Sequence, residues 1–266
     1  MAKSRIQIFG VLVIVVAAVV ALAAAPSVPD STQLYDKFKG TLINDALWNT
    51  SCSPAARSEE CALEILTGKL RIARRASGLR NGNTGYSWSG AGASFANPLP
   101  LTSLTADVVV KKLQEQACAA NPELGGNATI YATFFNDGSG DPNRNLAASL
   151  LVSRISSDPA GQLDVLGQMS LGYSPLQTIG LGTVPMGTPV TATVQWDHPN
   201  HQFVLTWTND VTHQKTTGNI PYSYSDNTPV VNPNNILSVN VFPANCTAND
   251  TWVYVDSSFD NVYISQ

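Results

Sequence analysis

The feature that most constrains this chain is its last stretch, Trp252–Ile264. From Phe259 it alternates, with Phe259, Asn261 and Tyr263 on one face and Asp260, Val262 and Ile264 on the other. A β-branched and aromatic run with period two predicts a strand. A lone terminal strand would leave backbone N–H and C=O groups unpaired, so it is expected beside an early strand. Leu34–Gly40, followed by Asn44–Trp48, supplies that partner.

The middle of the chain repeats the same signal. Ile65–Ile72 predicts two strands around a tight turn at Thr67-Gly68, with Leu70 and Ile72 facing one way. Leu104–Val110, Ala128–Phe135, Ala148–Ile155, Gln162–Leu171 and Ile236–Phe242 read as further strands. The clearest hairpin joins Val190–Trp196 to Gln202–Trp207 through the turn Asp197–Asn200. Gly78–Asn97 is rich in Gly, Ser and Asn and reads as irregular, with room for a short strand; Asn49–Glu60 reads as a loop. Helical periodicity is nearly absent; only Ser58–Leu66 and Lys111–Cys118 have room for a short helix. Many short strands separated by Gly, Pro and Asn turns predict an all-β sandwich or jelly roll. No linker divides the chain, so residues 26–266 are expected to form one domain.

The first 25 residues stand apart. Lys3 and Arg5 precede an apolar run, Ile8–Val20, and small residues at Ala21–Ala25. That layout predicts a secretory signal peptide. The alternative is an uncleaved signal anchor, since the run approaches the roughly 18–20 residues that span a bilayer. The expected location is secreted, periplasmic or extracellular, and membrane-tethered if the leader stays. Nothing after the leader predicts a membrane span. A net charge of −4 without a long basic run argues against nucleic acid as a partner.

Four cysteines, Cys52, Cys61, Cys118 and Cys246, favour disulfides in an exported chain, with three connectivities open. Pairing Cys52 with Cys61 closes a local loop and leaves Cys118 to clasp Cys246. Loop-closure entropy would stabilise by roughly 2–3 and about 5 kcal/mol respectively, less any strain. No Cys-x-x-Cys or His-x-x-x-His spacing indicates zinc.

Tyr35-Asp-Lys-Phe-Lys-Gly40 with Asp45-x-x-Trp48, then Gly68-Lys-Leu-Arg-Ile72, then Phe259-Asp-Asn-Val-Tyr-Ile264 resembles the concanavalin A-like lectin/glucanase superfamily. The resemblance implies a jelly-roll sandwich of two antiparallel sheets. It also implies, for some members, a structural calcium, which would fall here on Asp36, Gly40 and Asp260; oxygen donors and a carboxylate suit that hard cation. The enzymes of this group carry two carboxylates on one strand, in a Glu-x-Asp-x-Glu or Glu-x-Asp-x-x-Glu pattern. Here the five glutamates, Glu59, Glu60, Glu64, Glu115 and Glu123, lie in the first half, and none sits two residues before an Asp. Glu60 and Glu64 are expected in a loop or helical turn, not across a cleft.

Other chemistry is equally sparse. His198, His201 and His213 complete no recognisable triad, and no Gly-x-Ser-x-Gly elbow occurs. Asp137–Asn143 has oxygen side chains at alternate positions but lacks the closing Glu of an EF-hand loop, so it reads as a polar hairpin connection. A sugar site needs an aromatic platform and a few polar groups. Trp196 and Trp207 are in phase with aliphatic residues and read as core. Tyr86 and Trp88 share one face of a Gly/Ser-rich segment and are the candidate platform, with Asp197 a further polar candidate. The resemblance thus implies non-catalytic binding of a glycan or polysaccharide, with no required cofactor. A structural or adhesive envelope protein and a divergent glycoside hydrolase or lyase are the alternatives.

Overall fold

The computed structural model describes residues 32–53, 58–80, 85–118, 124–247 and 250–266. The leader expected over residues 1–25 lies outside them. Two antiparallel eight-stranded sheets face each other across one core.

The first sheet contains β1 (Gln33–Asp36), β3 (Ser58–Leu66), β4 (Lys69–Ser77), β6 (Ser103–Gln116), β11 (Val190–Asp197), β12 (Gln202–Asn209), β13 (Lys215–Pro221) and β16 (Trp252–Ser265). Its order is β13-β12-β11-β6-β16-β4-β3, with β1 also paired to β16. The second sheet contains β2 (Trp48–Cys52), β5 (Ser89–Phe95), β7 (Gly125–Asn136), β8 (Asn145–Ile155), β9 (Gln162–Leu171), β10 (Ser174–Pro185), β14 (Thr228–Pro229) and β15 (Asn235–Phe242). Its order is β10-β9-β8-β7-β15-β5-β2, with β14 also on β7.

The last strand lies beside an early one, as the pattern predicts: Gln33 pairs with Ile264, and Lys69's neighbour Leu70 pairs with Phe259. One detail differs. The register of β16 against β6 shifts between Asp260 and Tyr263, and Asn261 adopts φ 47°. The bulge puts an extra residue into the strand and resets its phase. Phe259 and Val262, on opposite faces in a regular strand, are therefore both buried in the core.

The two segments with room for a helix are strands. Ser58–Leu66 pairs along β4, with Cys61, Leu63 and Ile65 packed against the core and Glu64 exposed, which is period two. Lys111–Gln116 continues β6; a register shift opposite Asp256/Ser257 puts Val110 and Leu113, three residues apart, both inside. That three-residue spacing imitates a helix. The expected loop Asn49–Glu60 begins and ends inside β2 and β3, and the irregular Gly78–Asn97 segment contains β5.

Both open sides of the sandwich are closed. On one side the Cys52–Cys61 disulfide ties β2 of the second sheet to β3 of the first. On the other, Ile179 and Leu181 of β10 lie over Gly218 of β13, where a Cβ would come within 2.5 Å of Leu181. Cys118–Cys246 is the second disulfide, and no cysteine is free. Among the described residues no helix is long and apolar enough to cross a membrane.

Candidate functional site

The outer face of the second sheet is a cleft of about 970 Å³. Cross-strand register explains how it is built. Inward positions of these strands carry Ala91, Ala93, Ile130, Leu237 and Val239, all buried. The alternate positions face outward and line up in rows across the strands. One row runs Gly90, Asn240, Asn127, and the next Ser51, Gly92, Ser238, Thr129, Leu151. A third runs Ser94, Ile236, Tyr131, Ser149, Gln168, and beyond it lie Asn234 and Ser170. None of the described residues that line the cleft is charged.

Small side chains make the floor deep, and hydrogen bonds hold its polar groups in place. Asn127 Oδ1 accepts from Thr129 Oγ1 at 2.8 Å and from Asn240 Nδ2 at 3.0 Å. Gln168 Nε2 donates to Thr178 Oγ1 at 3.1 Å. Tyr131 donates its hydroxyl to Gly172 O at 3.0 Å. Burial, with Tyr173 adding to it, pushes the Tyr131 phenol well above its ordinary range against the opposing bond from Ser170, so the hydroxyl remains a donor.

Aromatic residues stand at opposite corners of this floor. At the start of β5, Trp88 is 51% exposed and Tyr86 62%. Tyr86 forms a β-bridge with Ala244 and packs edge-on against Phe242, 5.6 Å between ring centroids. Trp88 lies over Gly90, where an added Cβ would come 3.0 Å from its indole, so the bare glycine is its seat. At the far corner Tyr173, 78% exposed, rises from the β9–β10 turn. β5 and β9 are four strand positions apart, about 19 Å at the usual spacing near 4.8 Å.

The structure brings Tyr86 and Trp88 into the cleft but leaves Asp197 out of it. Asp197 belongs to the first sheet, where its carboxylate accepts from Asn200 Nδ2 and from Gln202 Nε2 at 2.7 Å to fix the β11–β12 turn. Trp207 is core, its indole donating to Leu181 O at 2.9 Å, whereas Trp196 is only partly buried. Tyr173, Tyr131 and Gln168 were not singled out from sequence. Their outward direction follows from register with neighbouring strands, which one strand's own pattern does not contain.

Glu60 and Glu64 lie on β3 and reach Arg71, which also grips Asp256; Arg71–Glu64 is 2.7 Å and Arg71–Asp256 2.9 Å. The Asp137–Asn143 connection is a hairpin turn, with Asn136 Nδ2 donating to Asp141 O and Asp137 paired to Arg144.

Of the three residues expected to hold calcium, Asp36 and Asp260 have other partners. Asp36 spends both carboxylate oxygens, on Phe38 N at 2.8 Å and on Trp48 Nε1 at 2.7 Å, which leaves its backbone oxygen. Asp260 Oδ1 accepts from Asn261 N, and its Oδ2 stands 4.0 Å from Lys69 Nζ. Among the described residues no three His, Cys, Asp or Glu side chains converge on a metal position.

No family model matches the sequence, and neither does any curated protein. Similar solved structures exist. A LamA variant from Z. galactanivorans in complex with laminaritriose and laminaritetraose superposes with TM-score 0.50 at 13% identity, over 87% of this chain and 97% of that one. Winged bean acidic lectin, complexed with methyl-alpha-D-galactose, gives 0.45 at 13% identity, over 89% and 99%. Scytalido-glutamic peptidase with a transition state analog inhibitor gives 0.40 at 14% identity, over 58% and 64%. Likeness at these identities is likeness of fold, and the fold of this chain is the concanavalin A-like jelly-roll sandwich.

Proposed function

We propose that the protein is an exported, non-catalytic carbohydrate-binding module and that the cleft on the second sheet holds the glycan. The observation that carries this reading is the composition of the cleft: neutral hydroxyls and amides on the floor, with exposed Trp88, Tyr86 and Tyr173 at opposite corners. A sugar ring presents apolar C–H faces and a rim of hydroxyls, and such a surface offers aromatic planes to the first and amide or hydroxyl partners to the second. Glycoside hydrolysis by the usual route requires two carboxylates flanking the scissile bond. The described lining supplies none. The LamA variant crystallised with laminarin-type oligosaccharides has the same fold, which lends the reading support without assigning the sugar. The two disulfides are compatible with an oxidising compartment outside the cytosol.

Electrophoresis through gels containing a panel of neutral and acidic polysaccharides tests the proposal. Retardation by a neutral polymer, lost in Trp88→Ala, is expected. Uniform mobility across the panel would refute the sugar site and favour a structural or adhesive role; release of reducing ends would refute the non-catalytic reading. Calcium on Asp36, Gly40 and Asp260 is a separate proposal. Elemental analysis of a dialysed sample and melting with and without chelator decide it.

A further inference from the structure

A second concavity shares no lining residue with the sugar cleft. It sits at one end of the sandwich, where the segment before β6, the end of β7, the end of β11 and the β14 region meet. Its volume, about 360 Å³, is at the lower end of small-molecule sites, which run from about 300 to 1,000 Å³. Pro100, Leu101, Phe134, Phe135, Pro229 and Val230 make most of the wall apolar. Trp196 forms an aromatic side, stacked on Phe135 at 5.3 Å.

Its polar lining includes Asp226, His198 and Thr102. Asp226 is 4% exposed and lines the pocket. Its Oδ2 accepts from Tyr222 OH at 2.7 Å and pairs with His201 Nδ1 at 2.9 Å, while its Oδ1 meets His198 Nε2 at 3.3 Å. Tyr222 OH in turn accepts from Trp196 Nε1 at 2.6 Å, which locks the indole in place. Thr102 Oγ1, also on the lining, is buried with no hydrogen-bond partner among the described residues. The described lining contains no Lys or Arg. Burial alone would raise the Asp226 carboxyl, but the bonds from Tyr222 and His201 and the two imidazoles outweigh it and hold the group below its usual range. The carboxylate therefore stays ionised inside an apolar wall, faced by two half-exposed histidines.

We propose that this pocket is a second ligand site, for a small organic cation with an apolar body. Asp226 supplies the counter-charge, Trp196 the aromatic face and Thr102 an acceptor. An ammonium group gains from a carboxylate in a desolvated setting and from the face of an indole. The long His198–Oδ1 contact is the one an ammonium replaces, displacing a ring that is 49% exposed and rests against Trp196 at 4.8 Å between centroids. A neutral ligand of the same shape lacks that exchange, and an anion meets Asp226 head-on.

Benzylammonium, benzyl alcohol and benzoate share one shape and differ in charge, so they serve as probes. Binding is read by NMR from the Trp196 indole N–H signal, assigned with Trp196→Phe. Benzylammonium is expected to shift that signal saturably, at least about tenfold more tightly than either isostere. Asp226→Asn abolishes the preference. If that variant fails to fold, His198→Ala carries the test, because removing the competing imidazole tightens benzylammonium severalfold without touching Oδ2. Equal binding of benzyl alcohol, no saturable shift with benzylammonium, or unchanged affinity in His198→Ala would each overturn the proposal. Polysaccharide retardation in the presence of benzylammonium stays unchanged if the two sites are separate.

Discussion

The two outer faces of the sandwich differ in what their polar groups do. On the first sheet, Arg71, Glu64, Asp256 and Tyr254 satisfy one another, and the Arg75 guanidinium covers Trp252 at 4.4 Å. Charge there is spent internally. On the second sheet the floor is neutral and its aromatic rings stand open. A face of mutually satisfied ions offers a ligand little beyond its own disruption, whereas neutral amides and exposed rings can exchange water for sugar hydroxyls at small cost. The same β ladder thus produces one face that closes on itself and one that remains available.

The largest effect expected from this contrast comes from the charged face. Arg71→Ala leaves Asp256, 8% exposed, without its main partner. Stranding a largely buried carboxylate costs about 3 kcal/mol, so the melting temperature falls by several degrees or more while polysaccharide retardation persists. Loss of retardation in this variant, with the fold intact, would break the division between the faces.

A smaller change is expected in the cleft. Trp88→Ala weakens glycan binding at least about tenfold, or about 1.4 kcal/mol, with stability altered by no more than about 1 kcal/mol because the ring is half exposed. Tyr173→Ala does the same at the other corner, and its effect grows with the length of the oligosaccharide. Equal sensitivity for short and long oligosaccharides would show that the two corners do not hold one chain.

Acid separates the regions again. Asp226 lies below its ordinary 3.8 in the folded protein, with burial opposing and the Tyr222 and His201 bonds prevailing. A group depressed on folding stabilises fully above its unfolded value and loses that contribution as pH falls through the folded one. Asp226→Asn therefore costs about 1–3 kcal/mol at neutral pH, and its gap from the natural chain begins to narrow only as pH falls below the ordinary 3.8 toward the lower folded value. Paired urea titrations at neutral and acid pH read this directly. The smallest expected effect is salt on glycan binding: with no charge among the described lining residues, affinity changes less than about twofold between low and high salt.

Strand content and class were legible because residues such as Val190, Ala192 and Val194, or Phe203, Leu205 and Trp207, repeat every second position and bury one face. The sequence left three disulfide connectivities open, and the structure forms the one that joins Cys52 to Cys61 and Cys118 to Cys246. Two departures came from bulges: the phase change near Lys111 spaced Val110 and Leu113 like a helix, and the one at Asp260–Tyr263 put Phe259 beside Val262 inside the core. Tyr86 and Trp88 could be found from their polar, glycine-rich surroundings. Tyr173, Gln168 and the floor of Asn and Ser could not, since each belongs to a different strand.

By itself, then, the sequence determined an all-β sandwich, because side-chain periodicity is a local property of each strand. Tertiary structure alone decided which neutral residues share the cleft, and that Asp226 meets Tyr222, His198 and His201 while Asp197 serves a turn. Those neighbours are set by sheet order and by register, and a shift of one residue moves every side chain of a strand to the other face.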